Sequence, residues 1–282
     1  MTTSRRSFLA AMAAGGAAMA RSNSSVTHYV RYEQGGAGSY GILKGKNIQP
    51  IEGDLFGARE PSGDKVALGD VTLLYPCEPA QVLAVGLNYK SHLGDREPPA
   101  NPEIFYKPPT ALQHPGGNIV IPPDAKDVHY EAEFVIVIGK TTSKVSVEEA
   151  PDYILGYTCG NDVSDRNWQN GTQGDKKDIQ WWRAKGSDTF APLGPSIAVG
   201  GNYSKSWIRL RLNGKTRQKQ RISDLLFGAE EIVSFVSQYM TLAPGDVIYT
   251  GTPGTTKPMK AGDVVEVEVD GIGVLKNPVV QG

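Results

Sequence analysis

Between Asp127 and Gly139 the chain reads DVHYEAEFVIVIG, and Phe134 to Ile138 show none of the polar alternation of a half-exposed strand. A run of this kind is a strand covered on both sides, so the fold must supply a packing layer for each of its faces. Glu131 and Glu133 stand at its head. In extended backbone the side chains alternate, which turns these two glutamates to one face and Tyr130, Ala132 and Phe134 to the other. Two neighbouring like charges at a buried strand end are costly unless something positive lies between them. The alternative is a strand whose first turn is in water, with both carboxylates solvated.

The rest of the composition narrows the class. With 282 residues, 29 basic and 30 acidic, and many glycines and prolines, the chain has the make-up of a soluble globular protein rich in turns. No basic excess points to nucleic acid, and the length suits one large domain, or one with a small companion. Cys77 and Cys159 allow at most one internal bridge and show no metal-ligand spacing, so each reads as a buried free thiol.

The first twenty residues read as a leader. SRRSFLAAMAAGGAAMARS pairs Arg5 with Arg6 ahead of a modestly apolar, Ala-rich run and ends on a small-x-small pattern, Ala18-Met19-Ala20. This is the form of a twin-arginine export signal over residues 1–20, and it predicts a periplasmic or secreted mature chain. The run is short for a membrane span, so no stable anchor is expected after processing.

From 21 to 76 short strands and turns predict a small β-rich N-terminal domain, and from 77 to 282 a second, larger domain. Val82 to Val85 opens the latter as a strand running into a Gly-Leu-Asn-Tyr turn. Ser146 and Glu149 form a capping-box pattern that predicts a short helix. In SDLLFGAEEIVSFVSQYM, the residues Leu225, Leu226, Ile232, Phe235, Val236 and Met240 recur at helical spacing and predict the longest helix. The tail returns to strands, each preceded by Gly-Asp turn chemistry. The class is therefore mixed, a β-rich α+β fold.

A third carboxylate comes from GYTCGNDVSDRNWQN, where a strand of small and aromatic residues runs into Asp162 and then a helix start carrying Arg166 and Gln169. Hard oxygen donors without cysteine or paired histidine suit Mg²⁺ or Mn²⁺ with open positions for water and substrate, and disfavour zinc. Taken alone, an Asp ahead of a helix is more often an N-cap.

Seven segments in order, GLNYKSH, PEIFYKPPTAL, HYEAEFVIVIGK, GYTCGNDVSDRNWQ, RAKGSDTFAPLGP, NGKTRQ and GDVIYTGTPGT, strongly resemble the fumarylacetoacetate hydrolase family over roughly Val82 to Pro278. The resemblance implies a β-sandwich roll, a homodimer, one divalent metal, and the cleavage, decarboxylation or isomerisation of a small 2-oxo or 2,4-dioxo acid. Residue by residue, it makes Glu131, Glu133 and Asp162 the ligands of a Mg²⁺ or Mn²⁺ ion. It sets Lys185 as a cation beside them, where the alternative is a surface lysine on a loop. Arg166, Gln169 and Thr252 fall on positions that face the substrate, although each has a structural alternative.

His92 is the candidate base. Asp95, three residues on, would share one side of a short helix with it and orient the imidazole. Much of the family carries glutamate there. The expected reaction is hydrolytic C–C cleavage of an acylpyruvate-type 2,4-dioxo acid. A 2-oxo acid chelating the metal has its carbonyl polarised, and the enolate that forms is stabilised. Decarboxylation and isomerisation on the same site are the alternatives, and a non-catalytic exported 2-oxo-acid binder is a reading from another class. The segment NGTQGDKKDIQWW, with Trp181 and Trp182, is expected to act as a lid that selects the substrate.

Overall fold

The computed structural model describes residues 25–282, so the leader expected over 1–20 lies outside the described residues. The main strands are β1 (Thr27–Gln34), β2 (Ala37–Lys44), β3 (Asn47–Gly53), β4 (Val82–Gly86), β5 (Glu103–Lys107), β6 (Ala132–Ile138) and β7 (Ile154–Asn161). They continue with β8 (Ala191–Val199), β9 (Trp207–Leu212), β10 (Lys215–Arg221), β11 (Val247–Tyr249), β12 (Val264–Val269) and β13 (Gly273–Gln281). The helices are short: α1 (Lys90–Leu93), α2 (Arg166–Asn170), α3 (Trp182–Gly186) and α4 (Ala229–Ser237).

One large mixed sheet runs β3-β2-β1-β8-β7-β6-β11-β4-β5, and a smaller sheet contains β13-β12-β9-β10. β6 lies deep in the large sheet and is buried along its whole length. Its two faces pack differently. Val135 and Val137 join Val82, Ala84, Leu193 and Tyr249 on one side, while Ile136 and Ile138 meet α4 through Ile232, Val233 and Val236 on the other. Phe134 belongs to a third core, filled from the smaller sheet by Ile208, Leu210, Val265, Val267 and Leu275. The two-sided burial read from Phe134–Ile138 is thus met by helix, sheet and sheet, a β-rich roll of packed layers.

The N-terminal strands have a small core of their own around Val30, Tyr32 and Ile48. They are also stitched to the large sheet, because β1 pairs antiparallel with β8 from Thr27↔Val199 to Tyr29↔Ile197.

Two helical expectations change. The Ser146–Glu149 box forms reciprocally, Ser146 N–H donating to Glu149 Oε2 (2.9 Å) and Glu149 N–H to Ser146 Oγ (3.2 Å), but it precedes only a 3₁₀ turn over Ala150–Asp152. Pro151 follows directly and leaves no room for a longer helix. α4 is the longest helix among the described residues, yet Leu225 and Leu226 precede it, because Gly228 is its N-cap and donates its N–H to Glu231 (2.7 Å).

Candidate active site and metal centre

The site grows from one register. β6 and β7 pair antiparallel with Ala132↔Asn161 and Glu133↔Gly160. Continued past Ala132, that register sets Glu131 opposite Asp162, and Asp162 N–H donates to the Glu131 carbonyl (3.0 Å). Asn161 Oδ1 accepts the Glu131 N–H (2.8 Å) and closes the corner. Glu131, Glu133 and Asp162 therefore bring one carboxylate oxygen each within 4.8 Å of one another, all buried. Asp162 does not cap α2. Asp165 does, accepting the Trp168 N–H (2.8 Å).

Cations meet two of these carboxylates. Lys185, near the end of α3, is 3% exposed, and its Nζ donates to Asp162 Oδ2 (2.5 Å), Glu131 Oε2 (2.9 Å) and Ser164 Oγ (2.6 Å). It is no surface lysine. Burial alone would lower its pKa, but Asp162 and Glu131 outweigh that and raise it, so the ammonium is retained. Arg166 Nη2 donates to Glu131 Oε1, and Nη1 to Gln169 Oε1 (2.5 Å). Burial pushes Glu131 upward, yet Arg166 and Lys185 prevail and hold it well below the usual carboxylate range.

Glu133 is the exception. It is 1% exposed, its carboxylate accepts a hydrogen bond from the Gly251 N–H (2.6 Å), and no ion pair reaches it among the described residues. Burial, then Asp162 and Glu131, push its pKa well above the usual range. Gly251 reaches it through a backbone with φ +104, where an added Cβ would lie 2.8 Å from Asn88 Cβ. A buried carboxylate without an ion-pair contact of its own, beside two others, fits a hard divalent cation as its partner.

His92 lies on α1 with Nδ1 2.5 Å from the Gly254 carbonyl. A carbonyl only accepts, so Nδ1 carries the proton and Nε2 presents its lone pair. Asp95 is not its partner. α1 ends at Leu93, Gly94 turns the chain with φ +62, and Asp95 is exposed without a hydrogen bond or ion pair to His92. The helix ends two residues before Asp95, too soon for the expected spacing to act.

Thr252 is buried, and its Oγ1 accepts from Gln218 Nε2 (2.9 Å). The segment expected to act as a lid lies along edge strand β5. Ile179, Trp181 and Trp182 line a groove of about 830 Å³ along edge strand β5, and none of the three carboxylates lines it. Ile179 and Trp182 remain exposed there, at 85% and 68%.

This geometry can be set against known proteins. The family model described as fumarylacetoacetate (FAA) hydrolase C-terminal matches residues 81–280, and one described as Rv2993c-like, N-terminal matches 27–76. The chain belongs to the fumarylacetoacetate hydrolase family. A 5-carboxymethyl-2-hydroxymuconate delta-isomerase from Mycobacterium smegmatis shares the fold with a TM-score of 0.84 at 41% identity, over 90% of this chain and 100% of that one. A maleylpyruvate hydrolase from Sphingobium sp. SYK-6, solved with manganese(II) and pyruvate, gives 0.75 at 28%, over 90% and 99%. A mitochondrial oxaloacetate tautomerase from Bos taurus is 37% identical over 75% of this chain and 70% of its own length. Relatives in this family are enzymes of isomerase, hydrolase and tautomerase type.

Two residues in the family segments escaped the sequence reading. Lys107, at the end of β5 in PEIFYKPP, has a fully buried side chain whose Nζ donates to Asp162 Oδ1 (2.5 Å) and to the Lys185 carbonyl. Burial lowers its pKa, with Asp162 opposing. The signal was a lysine closing the Ile-Phe-Tyr run of β5. Gln218, in β10, accepts the Ala132 N–H (3.0 Å) and donates to Thr252 Oγ1 and to the Pro253 carbonyl (2.6 Å), tying β6 to the TGTP loop. Nothing local in NGKTRQ marks it.

Proposed function

We propose that the protein is a divalent-cation-dependent enzyme that shifts a proton on the carbon beside the keto group of a small 2-oxo diacid, as an isomerase or keto–enol tautomerase. Glu131, Glu133 and Asp162 are the residues that would hold Mg²⁺ or Mn²⁺. What carries the reading is His92: its proton is fixed on Nδ1 by the Gly254 carbonyl, which leaves Nε2 as a base beside the carboxylate cluster.

When bound, the cation supplies a Lewis acid for the keto oxygen and makes the adjacent C–H more acidic. Arg166, flanked by Gln169, presents its guanidinium to a substrate carboxylate, and Thr252 adds a hydroxyl. His92 Nε2 takes a proton from one carbon and returns it to another position. Lys185 stabilises negative charge developing on oxygen.

This reading puts isomerisation ahead of the hydrolysis expected from the sequence. The isomerase and tautomerase relatives at 41% and 37% identity support the same order. Hydrolytic cleavage of an acylpyruvate is the second reading, supported by the hydrolase relative at 28%.

The test is turnover with added Mg²⁺ or Mn²⁺ on oxaloacetate, unsaturated 2-oxo diacids and acylpyruvates. Loss of enol absorbance with every carbon retained is expected. Faster release of pyruvate from an acylpyruvate would replace this reading with hydrolysis, and tight binding without turnover of any substrate would make the protein a binder.

Export and dimerisation belong to the same proposal. Arg5-Arg6 and Ala18-Met19-Ala20 support twin-arginine export. Tyr106, 60% exposed on edge strand β5 beside Trp182, supports a homodimer. N-terminal sequencing from the native host and solution mass measurement check each.

A further inference from the structure

Arg166 has a second support besides the carboxylate cluster. Its Nη2, besides reaching Glu131, donates to Thr256 Oγ1 (3.2 Å), and Thr256 Oγ1 lies 2.8 Å from His129 Nδ1. His129 Nε2 lies 3.0 Å from Asp127 Oδ1. A carboxylate accepts, so Nε2 carries the proton and Nδ1 accepts from the Thr256 hydroxyl. That hydroxyl then has a lone pair for Arg166. The donor directions agree along the whole chain: Arg166 to Thr256 to His129, and His129 to Asp127.

The backbone holds the three segments together independently of these side chains. Val128 and His129 pair antiparallel with Asp165 and Ser164. Arg166 N–H donates to the Asp127 carbonyl (2.9 Å), and Met259 N–H to the Val128 carbonyl (2.7 Å). The loop between Gly251 and Met259 is latched at a second place, where Gly254 N–H donates to Ser91 Oγ (3.0 Å) and the Gly254 carbonyl meets His92. One loop therefore touches both the candidate base and the candidate carboxylate-binding arginine.

We propose that Thr256, set by His129 and Asp127, is a positioning residue for Arg166 and so determines how tightly the substrate carboxylate is held. The inference rests on the 2-oxo-acid reading of the site. Of the contacts of Nη2, Glu131 is shared with the carboxylate cluster, whereas Thr256 faces only the arginine and its own histidine. A guanidinium fixed before binding loses less freedom when it takes a planar carboxylate.

The experiment compares Thr256→Val, Thr256→Ser and His129→Leu. In crystals of the substrate-free variants, the Arg166 guanidinium should leave its place or lose order in Thr256→Val and His129→Leu, and keep it in Thr256→Ser. Pyruvate binding to the Mn²⁺-loaded protein should weaken about tenfold in Thr256→Val, the loss of one hydrogen bond to a charged group, and be restored in Thr256→Ser. In an Arg166→Gln background Thr256→Val should add nothing, since the two act as a unit. With a substrate that turns over, KM should rise in that ratio while kcat changes far less. An unmoved, ordered Arg166 in Thr256→Val overturns the proposal, and an unmoved one in His129→Leu removes the histidine from it. Wild-type protein that turns over no 2-oxo acid would instead defeat the proposed function, and the position of Arg166 would still decide this inference.

Discussion

Lys185 Nζ lies 2.5 Å from Asp162 Oδ2, and both side chains are almost wholly removed from solvent. The pair is half of an arrangement in which Lys107 holds the other oxygen of Asp162 at 2.5 Å. Removing one partner of a buried ion pair leaves the other uncompensated, which costs about 3–5 kcal/mol. Lys185→Met should therefore destabilise the metal-free protein by that amount in urea unfolding, and added Mg²⁺ should recover part of it. A metal-free variant as stable as the wild type would show that Lys107 suffices.

Glu133 ties metal binding to pH. A carboxylate ligand must lose its proton to bind a cation, and Glu133 is pushed well above the usual range by burial, Asp162 and Glu131. Mn²⁺ binding to the stripped protein should release a proton, with affinity rising as pH rises toward the folded pKa of Glu133. Without metal, the folded state keeps a proton that the unfolded chain loses above 4.5, so the contribution of Glu133 to stability falls as pH rises across that window. Equal calorimetric heats in buffers of different ionisation enthalpy would count against proton release. Glu131→Gln and Asp162→Asn should abolish turnover and weaken Mn²⁺ binding.

His92→Gln should cost on the order of 10² to 10⁴ in rate, the usual worth of a positioned general base, while pyruvate binding persists. Asp95→Asn should stay within about threefold of the wild type, because the carboxylate is exposed and reaches no partner. A loss as large as that of His92→Gln would mean that the turn after Gly94 closes over the site during catalysis. Steady-state kinetics on the best substrate separates the two outcomes.

Gln218→Leu removes three hydrogen bonds at once, to Ala132, Thr252 and Pro253. Stranding buried groups of this kind costs about 1–3 kcal/mol each when water cannot replace the partner. The variant should unfold at lower urea concentration and show a raised KM, since Thr252 loses its tether. Unchanged KM with lowered stability would confine Gln218 to a structural part.

The sequence alone determined that β6 must be buried on both faces, because five apolar residues in a row leave no face for water. It also determined the family, and it singled out Glu131, Glu133, Asp162, Lys185 and Arg166 as candidates, since in-register motifs carry that information however the chain folds. The geometry of the set was settled by tertiary structure. Glu131 meets Asp162 because β6 and β7 pair in one register, and a slip of one residue would turn Asp162 away. The separation of His92 from Asp95 followed from where α1 stops, which depends on Gly94 adopting φ +62. Gln218 and the Thr256–His129 contact were invisible along the chain, since their partners lie 34 and 127 residues away and each residue type is ordinary in its own segment, while for Lys107 the chain shows a lysine at a strand end but not its partner 55 residues away. Short-range pattern reports which faces are apolar; which buried polar groups meet is decided by the packing of distant strands, because burial favours the arrangements that pair them.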